Sequence, residues 1–306
     1  MEKQRLSFHD QIIRNKIKSF ILIAVIFAFF IILGYIISLV LDPSYFFIIM
    51  IFAIIFSLSY TLISYYNSDK IALASVRAKP ASHEQHRVFF HAAENMSLAS
   101  GLPMPKLYVM ESEEINAFAS GRNPEKAVIC FTSGALKKLN KQELEGVIAH
   151  EMSHIANYDI RFMTLTVVLI GMISIIAEIF LRSLWFSNMS GGRGGKDGRV
   201  QIFLILLGIV FAILAPLAAN LVSLAISRKR EFLADATGVK LTRYPLGLTN
   251  ALRKIKAEHI SEKERKHRVA KAVAPLFISD PFKRKVQNLF SSHPDIDERI
   301  RRLERM

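Results

Sequence analysis

The stretch GVIAHEMSHIANYD, residues 146–159, decides how the rest of the chain is interpreted. It places His150 and His154 four residues apart, with Glu151 between them, in a largely apolar run. On an α-helix, residues at this spacing lie on one face, so the two imidazoles can bind one zinc ion. Glu151 points about 100° away from that face and can reach a water molecule on the open side of the metal. The stretch therefore predicts a metallohydrolase site in which Glu151 is the base.

The residues around this motif predict that it lies well inside a helix, over residues 140–158. Asn140 can cap the helix, and Glu143 follows three residues later, as in a capping box. An apolar stripe then continues at helical spacing, formed by Leu144, Val147, Ile148, Met152 and Ile155. A helix with solvated or core histidines and no metal is the alternative interpretation.

A small antiparallel sheet is predicted before this helix. Three short β-like runs are separated by turn residues such as those of GRNPEK. They are KLYVME (106–111), NAFASG (116–121) and AVICFT (127–132). The single cysteine, Cys130, lies in the third run, where a buried small side chain is expected rather than a catalytic thiol. One cysteine excludes an internal disulfide and a cysteine-based zinc site.

Four apolar blocks predict membrane-spanning helices, because each is long enough to cross a hydrocarbon core of roughly 30 Å. They cover residues 19–41, 45–66, 163–186 and 202–226. The third block contains Glu178 and Arg182, which are four residues apart and can pair while facing the protein interior. A buried core helix is the alternative for each block, and it is strongest for the third. A signal peptide would have a shorter apolar region than the first block, and the second span also argues against one.

The net charge of +14 would be compatible with nucleic acid as a partner, but the placement of the basic residues argues against it. Lysine and arginine crowd the N-terminus, the segments that follow the second and fourth spans, and the C-terminal tail. The short loop LDPS between the first two spans has neither. This is the positive-inside pattern, and it predicts that both termini and residues 67–161 are cytoplasmic. The Gly-rich loop 187–200 carries three basic residues and fits the pattern less well.

These features predict a mainly α integral membrane protein with four transmembrane helices and an α+β catalytic domain. Residues 1–66 form an N-terminal transmembrane hairpin in this prediction. Residues 67–161 and 227–306 together form the cytoplasmic catalytic domain, which contains the small sheet. Residues 162–226 form a second transmembrane hairpin with the Gly-rich loop.

A catalytic zinc site usually has a third protein ligand, and no further histidine follows the motif closely. The segment SRKREFLADATG, residues 227–238, offers Glu231 and Asp235 four residues apart on a predicted helix. Glu231 can complete a His, His, Glu site. Asp235 can accept a hydrogen bond from the far nitrogen of a ligand histidine and fix its tautomer. From spacing alone, a solvated charged face is the more common interpretation of such a helix.

The chain resembles the HtpX-type membrane zinc metallopeptidases, which are relatives of the CAAX prenyl endopeptidases. The resemblance covers nearly the whole chain and rests on the two pairs of spans and the segments AHEMSHIANYD, SRKREFLADA and SSHPDIDERIRRL. It implies a gluzincin-like zincin domain with one zinc ion per chain. It also implies Glu231 as the third ligand, Asp235 behind the ligands, His293 beside the substrate and Asn116 in contact with the substrate backbone. The sequence has HPD where many family members have a second proline.

The residues themselves leave alternatives open at the two substrate positions. Asn116 opens a β-like run whose exposed edge can take a peptide as an added strand, or it is a turn residue. His293 precedes Pro294, so its backbone is extended, and it can donate to a developing oxyanion. A loop histidine, or a cap for the next helix, is the alternative. Asp159 ends the motif helix, where a carboxylate opposes the helix dipole, so a local partner is expected.

The resemblance implies an integral-membrane zinc endopeptidase that cleaves membrane or misfolded proteins at the cytoplasmic face of a bacterial inner membrane. Peptide or membrane-protein substrates and the lipid bilayer are the expected partners, and nucleic acid is not. Two other functions remain open at this point. One is a CAAX-type protease that trims modified C-termini, and the other is a membrane scaffold whose metal is structural.

Overall fold

The computed structural model describes residues 8–40, 43–168, 208, 228–261, 276–278 and 294–306. The helices are α1 (Phe8–Val40), α2 (Phe46–Tyr66), α3 (Ser68–Ser75), α4 (Arg87–Ser100), α5 (Ser133–Lys138), α6 (Lys141–Ala156), α7 (Arg228–Thr242), α8 (Pro245–Ser261) and α9 (Ile296–Leu303). The strands are β1 (Lys79–Pro80), β2 (Lys106–Met110), β3 (Ala117–Ser120) and β4 (Val128–Thr132). Residues 159–168 are also helical.

The long apolar helices α1 and α2 pack against each other. A Cβ atom at Gly34 would lie 2.3 Å from the Cβ of Ala53, so only glycine permits this approach. One turn before Gly34, the ring of Phe30 packs against two rings of α2. Its centroid lies 5.0 Å from that of Phe56 and 4.9 Å from that of Tyr60. Two segments, Asn15–Tyr35 and Phe46–Tyr66, are long and apolar enough to cross a membrane. The predicted spans over 19–41 and 45–66 are therefore confirmed as apolar helices.

The predicted spans over 163–186 and 202–226 lie outside the described residues, apart from 163–168 and 208, which are helical. The predicted pair of Glu178 and Arg182 and the Gly-rich loop also lie outside them.

The sheet has the strand order β1-β2-β4-β3 and is mixed, so the prediction of an antiparallel sheet is wrong. β3 pairs with β4 antiparallel, and β2 pairs with β4 parallel. The parallel pair arises because the chain passes from β2 to the far edge of the sheet before it returns. It forms β3 at that edge and then turns back, so that β4 fills the place between β2 and β3. The positions of the three β-like runs themselves are confirmed.

Strand β4 is covered on both faces, which explains its continuous run of apolar residues. Ile129 and Phe131 pack into a core with the apolar stripe of α6. Val128 and Cys130 point to the other face and pack with Met163 and neighbouring apolar residues. Burial raises the pKa of the Cys130 thiol well above its usual range, so it stays protonated. This agrees with the interpretation of Cys130 as a core residue.

Helix α6 begins with the predicted capping box and carries its apolar stripe into the core. The Asn140 side chain accepts from the Glu143 backbone N–H at 2.9 Å, and the Glu143 carboxylate accepts from the Asn140 N–H at 2.8 Å. All the predicted stripe residues are buried. Helix α7 crosses α6 closely, because a Cβ atom at Gly238 would lie only 3.2 Å from the backbone nitrogen of His150. The fold thus brings α7 against the middle of the motif helix.

Replacing Asn140 with alanine is expected to lower the free energy of unfolding by about 1 kcal/mol, because it removes the side-chain cap of α6. Denaturant unfolding in detergent measures the change. Gln142→Ala, an exposed position in the first turn of the same helix, is the matched control. Equal stability of the two variants would show that the cap contributes nothing.

Candidate metal centre

Three buried side chains from two helices meet beside the sheet. His150 and His154 come from α6, and Glu231 comes from the first turn of α7. The Nε2 atoms of the two histidines are 3.3 Å apart. The Glu231 oxygens lie 3.5 Å from Nε2 of His150 and 3.7 Å from Nε2 of His154. Among the described residues, these three form the one group of side chains placed to hold a metal ion, with ligand atoms within 4.8 Å of one another.

This donor set fits zinc. Two imidazole nitrogens and one carboxylate are a ligand set of catalytic zinc sites, which keep a further position for water. Glu231 is 3% exposed and Asp235 is 2% exposed, so the alternative of a solvated charged face on this helix is wrong. The alternative of solvated histidines on α6 is wrong for the same reason, because both histidines are buried.

Asp235 lies directly behind His150. Its Oδ1 atom is 2.9 Å from Nδ1 of His150, so this ring can donate from Nδ1 and present Nε2 to a metal. Burial alone would lower the pKa of His150, but its contacts with Asp235 and Glu231 outweigh that effect and raise the pKa to about 9. The two carboxylates thus favour a positive charge in this part of the site.

Arg299 of α9 holds Asp235 in place, and sequence reasoning did not find it. Its guanidinium donates to both carboxylate oxygens of Asp235, at 2.9 Å from Nε and 2.7 Å from Nη2. Burial works against the Asp235 carboxylate, but Arg299 and His150 together outweigh it and lower the pKa of Asp235. A signal was present, because Arg299 falls between Ile296 and Leu303 on the apolar face of a short charged helix. An arginine within an apolar stripe indicates a buried partner.

Asp159 plays the same part for the second histidine. Its Oδ2 atom lies 3.0 Å from Nδ1 of His154. The local partner expected for this carboxylate is therefore the ligand candidate itself. Tyr158 has a φ of 59°, a left-handed conformation that is uncommon for a bulky residue. This turn after α6 brings Asp159 back toward the site.

Glu151 is buried between α6 and β3. The backbone N–H of Ala119 donates to its carboxylate. Burial is the main reason why the pKa of Glu151 is raised, and the nearby Glu231 carboxylate adds to the increase. A carboxylate with a raised pKa is better matched to taking up a proton near neutral pH.

The outer edge of the sheet is covered, which differs from the exposed edge expected at Asn116. Asn116 is buried, and its backbone N–H and C=O bond to Thr132 at 3.0 and 3.1 Å. Strand β3 is the edge strand, but all its residues are buried. The Ala117 carbonyl accepts a hydrogen bond from the Ile278 N–H at 2.9 Å, so residues 276–278 lie along this edge.

His293 lies outside the described residues, which resume at Pro294. The N-cap of α9 is Asp295, whose side chain accepts from Asp297 at 2.8 Å and from Glu298 at 3.3 Å. The alternative in which His293 caps this helix is therefore wrong.

A His-Glu-x-x-His helix faced by a glutamate from a second helix defines this chain as a metallopeptidase. The model of Peptidase family M48 matches residues 82–306, and the chain belongs to that family. A "Protease HtpX homolog" from Caldanaerobacter subterraneus subsp. tengcongensis is 46% identical over 83% of this chain and 84% of its own length. Another, from Dictyoglomus thermophilum, is 40% identical over 98% of this chain and 95% of its own. The resemblance found in the sequence is therefore confirmed.

A solved structure also aligns with the chain. The crystal structure of S. mikatae Ste24p matches with a TM-score of 0.45 and 21% identity. The alignment covers 95% of this chain and 65% of that protein.

Proposed function

We propose that this metallopeptidase is an integral-membrane zinc endopeptidase that cleaves membrane or misfolded proteins at the cytoplasmic face. The observation that carries the proposal is the convergence of His150, His154 and Glu231, with Glu151 beside them. Three protein ligands leave a position for water, as a catalytic zinc requires, whereas a closed structural site uses four. Among the described residues only this group of three converges, which favours an enzyme over a scaffold with a structural metal.

The roles of the residues follow from their positions. Bound zinc would lower the pKa of a water molecule and polarise the scissile carbonyl. Glu151 takes the proton from the attacking water and passes it to the leaving amine. Asp235 and Asp159 hold the Nδ1 hydrogens of the two histidines, so that both Nε2 atoms face the site.

Two further residues are assigned to the substrate in this proposal. Asn116, at the start of the edge strand, contacts the substrate backbone. His293 donates to the negative charge that develops on the carbonyl oxygen. Both assignments rest on the family resemblance.

The proposed location is a bacterial inner membrane, with several spans and with the site and both termini on the cytoplasmic side. The apolar surface of the α1–α2 pair supports a place in the bilayer, since side chains such as Phe47, 75% exposed, face outward from it. The basic residues that flank the spans support the cytoplasmic orientation.

Metal analysis of purified variants tests the ligand set. Wild-type protein is expected to hold about one zinc ion per chain, and His150→Ala and Glu231→Ala are expected to lose it, because two ligands rarely retain zinc. Glu145→Ala, on the same helix but away from the site, is the matched control and should keep its zinc. Full zinc content in Glu231→Ala would overturn the assignment of the third ligand.

A further inference from the structure

Asn15 joins the first candidate membrane span to the metal centre. It lies at the start of that span on α1 and is 5% exposed. Its side-chain nitrogen lies 2.6 Å from Oδ1 of Asp159 and 2.9 Å from the carbonyl oxygen of Asn157. The two acceptors are 144 and 142 positions away in the sequence. Asn157 belongs to the turn that follows the motif helix, and Asp159 comes directly after that turn.

Both N–H groups of the Asn15 amide are directed at this turn. A primary amide carries two hydrogens, and here one is donated to a carboxylate and the other to a backbone carbonyl. Asn157 is the C-cap residue of α6, so its carbonyl is one of those that a helix leaves without an internal partner. The Asn15 side chain therefore donates hydrogen bonds both to the carbonyl of the C-cap residue of the motif helix and to one oxygen of Asp159.

The other oxygen of Asp159 faces the proposed ligand His154, at 3.0 Å from Nδ1. Because Asp159 is buried, its carboxylate needs hydrogen-bond donors to offset the loss of water. The contacts described for Oδ1 are Asn15 at 2.6 Å and Nη1 of Arg230 at the longer distance of 3.5 Å. Asn15 thus provides the short bond that sets the orientation of this carboxylate.

The next residue of α1 also contacts the same turn. The ammonium group of Lys16 lies 4.7 Å from the ring centroid of Tyr158, the residue in the left-handed conformation. A cation over an aromatic ring is attracted to it. A strained backbone conformation persists only where its surroundings determine it, and two consecutive residues of α1 are part of those surroundings.

We propose that Asn15 is a positioning residue for the metal centre, acting through Asp159 on the ring of His154. Helix α1 then does more than anchor the chain, because its docking sets the geometry of one metal ligand. The proposal rests on the ligand set proposed above. Nothing in the local sequence distinguishes Asn15 from the other polar residues before the first span.

The test measures zinc affinity of the full-length protein by competition with a chromophoric chelator. Removal of a hydrogen-bond partner of a metal ligand typically costs 10–100-fold in affinity. Asn15 is one step further away, so Asn15→Ala is expected to raise the zinc dissociation constant about tenfold. Asn15→Gln keeps the amide on a longer chain and should recover part of the affinity. The absorption spectrum of the cobalt-substituted protein should shift in Asn15→Ala, since it reports the ligand geometry.

Two comparisons separate positioning from a general effect on folding. Ser19→Ala changes a buried residue one turn further along α1, whose hydroxyl bonds only to the Asn15 backbone carbonyl among its described contacts, at 2.8 Å. This variant should bind zinc as wild type does. In an Asp159→Ala background, Asn15→Ala should have little further effect, because the group through which it acts is already missing.

Each outcome bears on the proposal. Wild-type affinity in Asn15→Ala would overturn it, and so would an equal loss in Ser19→Ala. The same tenfold loss with and without Asp159 would also overturn it. If neither Asn15→Ala nor Asn15→Gln folds, Asn15 serves the fold rather than the site, and the proposal is wrong. Failure of the wild-type protein to bind zinc would instead refute the ligand set.

Discussion

Replacing Glu151 with glutamine is expected to lower kcat for peptide hydrolysis by about 10²–10⁴-fold, the usual contribution of a general acid–base group. Glutamine has nearly the same shape, and its carbonyl oxygen can still accept the Ala119 N–H that bonds to Glu151. It cannot take a proton from water. The metal ligands are unchanged, so the zinc content should stay near that of the wild type. The measurement is release of fragments from an unfolded protein substrate, together with metal analysis of the same sample.

Glu145→Gln is the matched control for this prediction. Glu145 lies on the same helix, and its carboxylate accepts a hydrogen bond from Asn95 outside the site. Its loss should leave turnover near the wild-type value. Normal turnover by Glu151→Gln would exclude Glu151 as the base. Loss of zinc by that variant would instead show that Glu151 is needed to assemble the site.

The motif helix was predictable because its signals are local. The capping box at Asn140 and the spacing of His150 and His154 lie within a few turns of one helix, where geometry follows directly from sequence separation. Glu231 was placed by family resemblance, because nothing in spacing shows which of several distant carboxylates packs against α6. The prediction of an antiparallel sheet was wrong for a similar reason. A strand buried on both faces shows only that it is central, and not which neighbour runs parallel to it.

The hydrogen bonds that orient the ligand histidines are the hardest part of the site to predict from the sequence. Asp159 was expected to have a local partner, but the bond to His154 depends on the left-handed turn at Tyr158. Asn15 and Arg299 reach the site from opposite ends of the chain. Asn15 looks like a surface residue in its own segment, and the apolar stripe around Arg299 does not show which partner it meets. Only tertiary packing brings them to Asp159 and Asp235.

Replacing Arg299 with leucine is expected to lower the free energy of unfolding by about 3–5 kcal/mol, the usual cost of breaking a buried ion pair. Arg299 is fully buried and is bonded to both oxygens of Asp235. It also donates to the carbonyl of Ile278 at 3.2 Å, so it ties the segment along the sheet edge to α9. Leucine would leave the Asp235 carboxylate buried without its main counter-charge. Denaturant unfolding of the metal-free protein in detergent measures this cost.

Two further variants distinguish an uncompensated charge on Asp235 from simple loss of packing as the cause of the destabilisation. Arg301→Leu changes an exposed arginine on the same helix and should shift stability by no more than about 0.5 kcal/mol. If the penalty comes from an uncompensated charge, adding Asp235→Asn to Arg299→Leu should restore part of the stability, because the buried group is then neutral. A double variant that is less stable than Arg299→Leu alone would show that the charge is not the cause. In that case the packing of the Arg299 side chain, and its bond to Ile278, would be what holds α9 against the metal centre.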